Sequence, residues 1–178
     1  MARDYVKVLQ ELSTTYTVVG RSVAGTENFF EKTGIRALPN GLAAWKKQNP
    51  VNIEYAIIAV SVEELARTAI ELMDFGIRNI LLEKPGGLTP EEIQRVRNKA
   101  EKTGTWILIG YNRRFYSSVL KAQEMIAKDG GVRSFSFDFT EWPHVICDDP
   151  RFSPEVKANW FLASSSHVVD LAFFLGGK

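Results

Sequence analysis

Three short runs rich in Ile, Leu and Val, "YAIIAV" (55–60), "NILL" (79–82) and "TWILIG" (105–110), are each followed by a stretch with apolar residues at helical spacing. A strand that is apolar at nearly every position is buried on both faces, and strands separated by a helix run parallel rather than as hairpins. This rhythm constrains the chain to an α/β architecture, a doubly wound, Rossmann-like parallel sheet covered by helices on both faces.

The helices carry start and stop signals. Ser61 and Glu64 form the S-x-x-E capping pattern ahead of Leu65, Ala69, Leu72 and Met73, which line one face. In "LTPEEIQRVRNKAEKTG", Thr89 is placed as N-cap, Pro90 at the first helical position and Glu92 at the third, with Gly104 marking the end. Upstream, Tyr5, Val8, Leu9 and Leu12 mark a helix already under way at Met1. "YTVVG" (16–20) reads as a further strand, "TENFFEKTG" as a helix closed by Gly34 and "NGLAAWKKQNP" as a short helix ended by Pro50. "FYSSVLKAQEMIAKDGG" reads as a longer helix.

From Val132 the rhythm changes: "VRSFSFDFTEW" alternates polar and apolar residues, as a strand with one solvated or ligand-facing side does. A second domain is expected to begin with this change of rhythm.

Composition narrows the partners. With 178 residues, 45% of them hydrophobic, the chain can bury a core. Its 22 basic and 21 acidic residues, without a long like-charge block, leave no footprint for nucleic acid or a membrane surface. No apolar run approaches the ~18 residues of a membrane span, and the N-terminus is amphipathic and charged rather than an apolar leader. The single cysteine, Cys147, excludes an intramolecular disulfide, and no Cys/His cluster has metal-ligand spacing. A small-molecule partner, no metal and a reducing cytoplasm are expected.

Three polar clusters carry the chemistry. Lys84 lies just past the end of "NILL", where ligands bind in an open parallel sheet, and Pro85 restricts the backbone that aims it. "GYNRRF" (110–115) begins at the end of the next strand and brings Asn112, Arg113 and Arg114 to the same rim. In "NWFLASSSHVVDLAFFLGG" (159–177), one of Ser164 to Ser166 should cap an apolar helix and place His167 in its first turn. The positive end of the helix dipole would then favour a neutral imidazole, and Asp170, at i+3, could orient it. The bland readings are a solvated loop lysine at Lys84 and a core-edge histidine satisfied by Asp170. "EWPHVICDDPRF" (141–152) reads as an irregular connection, or as a loop whose His144, Asp148 and Asp149 shape substrate recognition.

Taken in this order and spacing, "EKP", "GYNRRF" and "HVVDLAFFLGG" resemble the glucose-fructose oxidoreductase, inositol dehydrogenase and MocA (Gfo/Idh/MocA) family of NAD(P)-dependent sugar oxidoreductases. The resemblance implies that residues 1–115 are a partial dinucleotide-binding domain and residues 116–178 the start of a C-terminal α/β substrate domain with an antiparallel sheet. It implies hydride transfer between a nicotinamide and a sugar, sugar acid or nucleotide-linked sugar. Lys84 would stabilise the developing alkoxide, and His167, helped by Asp170, would take the proton. It implies that Ser61, Glu83, Lys84, Asn112, Arg113 and Trp160 line the cofactor. It places Arg21 and Ser22 where the family chooses between cofactors; lacking an acid there, the chain leans to NADP over NAD. The full-length protein would be a homo-oligomer through its C-terminal sheet.

The sequence also departs from the family. It has no glycine-rich G-x-G-x-x-G turn, and it ends soon after the His167 helix, so an internal fragment with weak or no turnover is expected. Ala163 stands where an acid often precedes the histidine, and Phe161 where an arginine often follows the tryptophan. A non-catalytic binding or oligomerisation module derived from the fold is the alternative.

Overall fold

In the computed structural model, which describes residues 1–177, the three apolar runs form strands β1 (Tyr55–Ile58), β2 (Asn79–Leu82) and β3 (Trp106–Ile109). They make one parallel sheet in the order β1-β2-β3, with Tyr55, Asn79 and Trp106 in register. Their positions follow the sequence expectation to within two residues. The chain divides into two units, Met1–Glu54 and a second from Tyr55 onward.

The first unit holds helices α1 (Ala2–Glu11), α2 (Val23–Thr33) and α3 (Gly41–Lys46). Ser22 caps α2 by accepting a hydrogen bond from the Gly25 amide at 3.1 Å. "YTVVG" does not extend into a ladder. It forms a single parallel bridge, Val19 to Leu38, in which the Gly20 amide donates to the Leu38 carbonyl and the Leu38 amide to Val18, each at 2.8 Å. The residue after Leu38 is Pro39, which has no N–H to donate, and Asn40 then turns the chain with φ of 69°.

In the second unit, helix α4 (Val62–Phe75) connects β1 to β2, and α5 (Pro90–Thr103) connects β2 to β3. The two helices pack against each other, and α4 packs on the sheet. Ile58, Leu65, Ala69, Met73, Ile80, Leu82 and Leu88 are almost fully buried there. Burial alternates along the strands: Tyr55 and Trp106 are 71% and 68% exposed, whereas Ile80 and Leu82 are 2% and 0%. The sheet residues toward α4 are buried, whereas Tyr55, Ile57, Trp106 and Leu108, which alternate with them, are exposed; the Rossmann-like parallel sheet follows the sequence expectation.

Caps follow the sequence at one helix and not at the other. Thr89 Oγ1 accepts from the Glu92 amide at 3.3 Å, and Glu92 Oε2 reaches back to accept from the amide of Leu88, the residue before the N-cap, at 2.7 Å, a variant of the capping box. At α4 the expected box is absent: Ser61 occupies the N-cap position without a side-chain bond, and the Glu64 carboxylate pairs with Arg67 instead.

After β3 come a 3₁₀ turn (Asn112–Phe115) and helix α6 (Ser117–Lys128). The expected strand over 132–142 forms no ladder among the described residues. An extended segment becomes a strand only through a partner backbone; here Phe135 and Phe137 instead set their rings edge-on to Phe173, at 5.7 and 6.3 Å. Two short helices follow, α7 (Pro143–Cys147), where an irregular connection was expected, and α8 (Pro154–Ala158). A π-helical turn (Phe161–Ser165) then leads directly into α9 (Ser166–Gly176).

Candidate active site

The Glu-Lys-Pro corner is held from both sides. The Glu83 amide donates to the Ile58 carbonyl at 3.0 Å and the Gly110 amide to the Leu82 carbonyl at 2.8 Å, so the end of β2 is tied to both neighbouring strands. The Lys84–Pro85 peptide is cis. At Gly87 an added Cβ would lie 2.9 Å from Glu92 Cβ and 3.2 Å from the Ile93 amide nitrogen, so a side chain there would push the start of α5 away from the corner. Glu83 is buried at 6% exposure, and Lys84 is half-buried.

Lys84 Nζ donates to the carbonyls of Ala163, at 2.6 Å and 79 residues away in sequence, and of Ser164, at 3.4 Å. Both carbonyls belong to the π turn, where the widened backbone departs from regular α-helical pairing. Burial, and then the Arg113 cation, pull the Lys84 ammonium below its ordinary value, against the Glu83 carboxylate, which raises it.

The π turn changes the surroundings expected for His167. Ser165 has helical φ and ψ and makes no cap, so Ser164 to Ser166 lie inside a continuous helical segment rather than at its exposed start. The Ser165 hydroxyl donates to the Glu141 carboxylate. His167 is indeed held below its ordinary value, but by burial first and then by the Lys84 and Arg113 cations, with no free helix terminus involved. Its ring stands edge-on to Tyr111, with centroids 5.8 Å apart, and its Nδ1 is buried without a hydrogen-bond partner.

The expected His167–Asp170 pair does not form. Asp170 is gripped by Arg114, with Nε donating to Oδ2 at 2.8 Å and a terminal guanidinium nitrogen donating to Oδ1. Asp170 thus reaches His167 only through its charge, as the weakest of the four influences on that imidazole. The Arg114 guanidinium also lies over the rings of Phe174 and Tyr111, at 4.7 and 5.5 Å. Tyr111 and the pairing of Arg114 escaped the sequence reading. The only sequence signal was that both lie within "GYNRRF", beside residues already singled out.

A cleft of about 340 Å³ opens beside this cluster, with Ser61, Val62, Trp160, Ala163 and Ser164 in its walls. Trp160 packs edge-on against Phe152 at 4.7 Å, and its indole Nε1 is buried without a partner. Arg151, also on the cleft, is engaged by Asp149, whose carboxyl it lowers to about 2. Asn112 is exposed on the 3₁₀ turn. Arg21 and Ser22 lie in the first unit, both exposed, with the Ser22 hydroxyl committed to its cap. No group of three or more His, Cys, Asp or Glu suited to a metal occurs among the described residues, and none of the described helices is long and apolar enough to cross a membrane.

Residues 1–111 match the Gfo/Idh/MocA oxidoreductase family, described by its NAD-binding Rossmann fold. The chain belongs to this family. Solved structures extend the likeness in fold over nearly the whole chain. The WlbA dehydrogenase from Bordetella pertussis, crystallised with NADH and UDP-GlcNAcA, is 17% identical with a TM-score of 0.75, over 99% of this chain and 55% of that one. Its counterpart from Chromobacterium violaceum, in complex with the same two molecules, is 16% identical with a TM-score of 0.74, over 99% and 52%. That from Thermus thermophilus, in complex with NAD and α-ketoglutarate, is 17% identical with a TM-score of 0.68, over 98% and 58%. The chain therefore spans about half the length of these Gfo/Idh/MocA-type structures. A comparison with curated proteins returned no match.

Proposed function

We propose that this protein acts in an NAD(P)-dependent oxidoreductase that moves a hydride between the nicotinamide and a hydroxyl-bearing carbon of a sugar, sugar acid or nucleotide-linked sugar. The observation that carries the reading is the convergence of Lys84, Arg113 and His167 at the carboxyl edge of the sheet: burial and then the Arg113 cation favour the neutral form of Lys84, burial and then the Lys84 and Arg113 cations favour the neutral form of His167, and Lys84 is bonded to the turn that leads into His167. The UDP-GlcNAcA in the WlbA structures supports a nucleotide-linked sugar acid as the substrate class.

The residues present suit the nicotinamide end of the cofactor. The cleft has an apolar wall in Val62, Trp160 and Ala163, serine hydroxyls at Ser61 and Ser164, and an ammonium bonded to two of its lining residues. Glu83, Asn112 and Arg113 complete this end in our reading, and residues 1–115 form the dinucleotide-binding part of the chain. When bound, the nicotinamide supplies a two-electron hydride acceptor. His167, kept neutral, accepts the hydroxyl proton of the substrate, while Lys84 offers its protons to the oxygen as negative charge develops there. In the reverse direction His167 returns the proton. Arg21, with no acid beside it, favours a 2′-phosphate, hence NADP.

The alternative, a non-catalytic binding module on the same fold, draws on one observation: the Lys84 ammonium is already committed to two backbone carbonyls. Titrating the protein with NADPH and NADH, followed by cofactor fluorescence, and then assaying hydride transfer to UDP-linked sugar acids separates the two. Saturable binding with NADPH preferred is expected, and Lys84→Met and His167→Asn should each lower turnover by roughly 10²-fold or more while the cofactor still binds. Binding without turnover in any variant would favour the module.

A further inference from the structure

Asp170 lies one helical turn from His167, close enough to pair with it, yet its carboxylate is turned to the 3₁₀ turn and held there at two points by Arg114. The result is a buried imidazole nitrogen, His167 Nδ1, with no partner although an acid stands nearby. We propose that Arg114 is a positioning residue for the reaction inferred above: by gripping Asp170 it keeps that carboxylate off His167 and leaves the imidazole free to act as a proton acceptor.

Three observations support this assignment. The guanidinium contacts Asp170 through two nitrogens, one on each carboxylate oxygen, a two-point grip that fixes the orientation of the carboxylate toward the 3₁₀ turn. The Arg114 fork itself lies over the rings of Phe174 on α9 and of Tyr111, the residue just before the 3₁₀ turn. Tyr111 in turn stands edge-on to His167, so the same guanidinium braces the ring that limits how the imidazole can rotate. The charged and titratable groups that act on His167 are Lys84 from the Glu-Lys-Pro corner, Arg113 from the 3₁₀ turn and Asp170 from its own helix, with the Tyr111 phenol against its ring. Asp170 is the one anion among them. An Asp170 released from Arg114 and turned to Nδ1 would act as a hydrogen-bonding acceptor for the imidazolium and hold a proton on the group that should receive one.

The proposal rests on the oxidoreductase reading, but its test does not need turnover. The chain has two histidines, so two imidazole signals can be followed by NMR across pH in the full chain without cofactor, with His144→Gln to assign them. Arg114→Gln should raise the His167 midpoint by about 1 unit, and Asp170→Asn should lower it. In the double variant Arg114→Gln with Asp170→Asn the rise should vanish when measured against Asp170→Asn alone, because the carboxylate that would have paired is gone. Should Arg114→Gln not fold, Arg114→Lys keeps the charge but loses the two-point grip, and a smaller rise is expected. An unchanged midpoint in the folded single variant, or an equal rise with and without Asp170, would overturn the proposal; the latter would mean that only the charge of Arg114 matters. If no substrate is ever turned over and these shifts still appear, the oxidoreductase reading fails while the hold of Arg114 on Asp170, and its effect on His167, stand.

Discussion

His167 and Lys84 are both shifted toward their neutral forms, and the signs of those shifts set a pH profile. A proton acceptor must be neutral, so kcat/KM rises as pH increases through the His167 value, which lies below 6.5. Lys84 must keep its proton, so the rate falls again as pH climbs through a value that lies below 10.5. A bell with both limbs shifted acidward of the free side chains is expected from steady-state assays over pH. An acid limb above 6.5 would contradict the assignment of His167. Both residues could be picked out in the sequence because local punctuation surrounds them, a proline after Lys84 and a serine run before His167. The pairing of Arg114 with Asp170 could not, because two charges 56 residues apart meet only through tertiary packing. Sequence spacing offered Asp170 a nearer partner at i−3; the guanidinium took it with two charge-assisted hydrogen bonds, which a neutral imidazole does not offer.

Among the elements, those with both apolar periodicity and a cap were the most legible. Helix α5 begins and ends at its punctuation, Thr89 and Gly104, because each signal satisfies a backbone group that would otherwise lack a partner. Thr89→Ala should therefore lower stability by about 1 kcal/mol, read as a shift in the urea midpoint with an unchanged slope, while Ser61→Ala should do little because its hydroxyl makes no cap. The elements misread from sequence are those defined by a partner rather than by themselves. "YTVVG" had strand composition but meets one short bridge before Pro39 and Asn40 turn its neighbour away, and 132–142 has the alternation of a strand without a ladder. The π turn before α9 has no sequence signature at all. Three serines ahead of an apolar helix are the ordinary mark of an N-cap, and only the wider backbone around Ala163 and Ser164, bonded to Lys84, shows why they are not one here.

At the scale of the whole molecule, the parallel sheet and its two connecting helices were foreseeable because several levels of the sequence agree on them: the apolar runs of the strands, the helical period between them and, at α5, the caps at both ends. The segment after α6 is different, since it is held by a few rings rather than by a ladder. Gly176 is the seat for one of them: a Cβ there would overlap the Phe135 ring. Gly176→Ala should unseat that ring and, through its stacking on Phe137 at 6.4 Å, loosen the whole stretch from Val132 to Glu141. The readout is susceptibility to cleavage. Chymotrypsin at low concentration should cut the Ala variant at Phe135 or Phe137 faster than the parent chain, with cutting elsewhere unchanged, and equal rates would show that Phe173 alone retains the segment. A single hydrogen at position 176 would thus set how long this part of the chain survives in the presence of a protease.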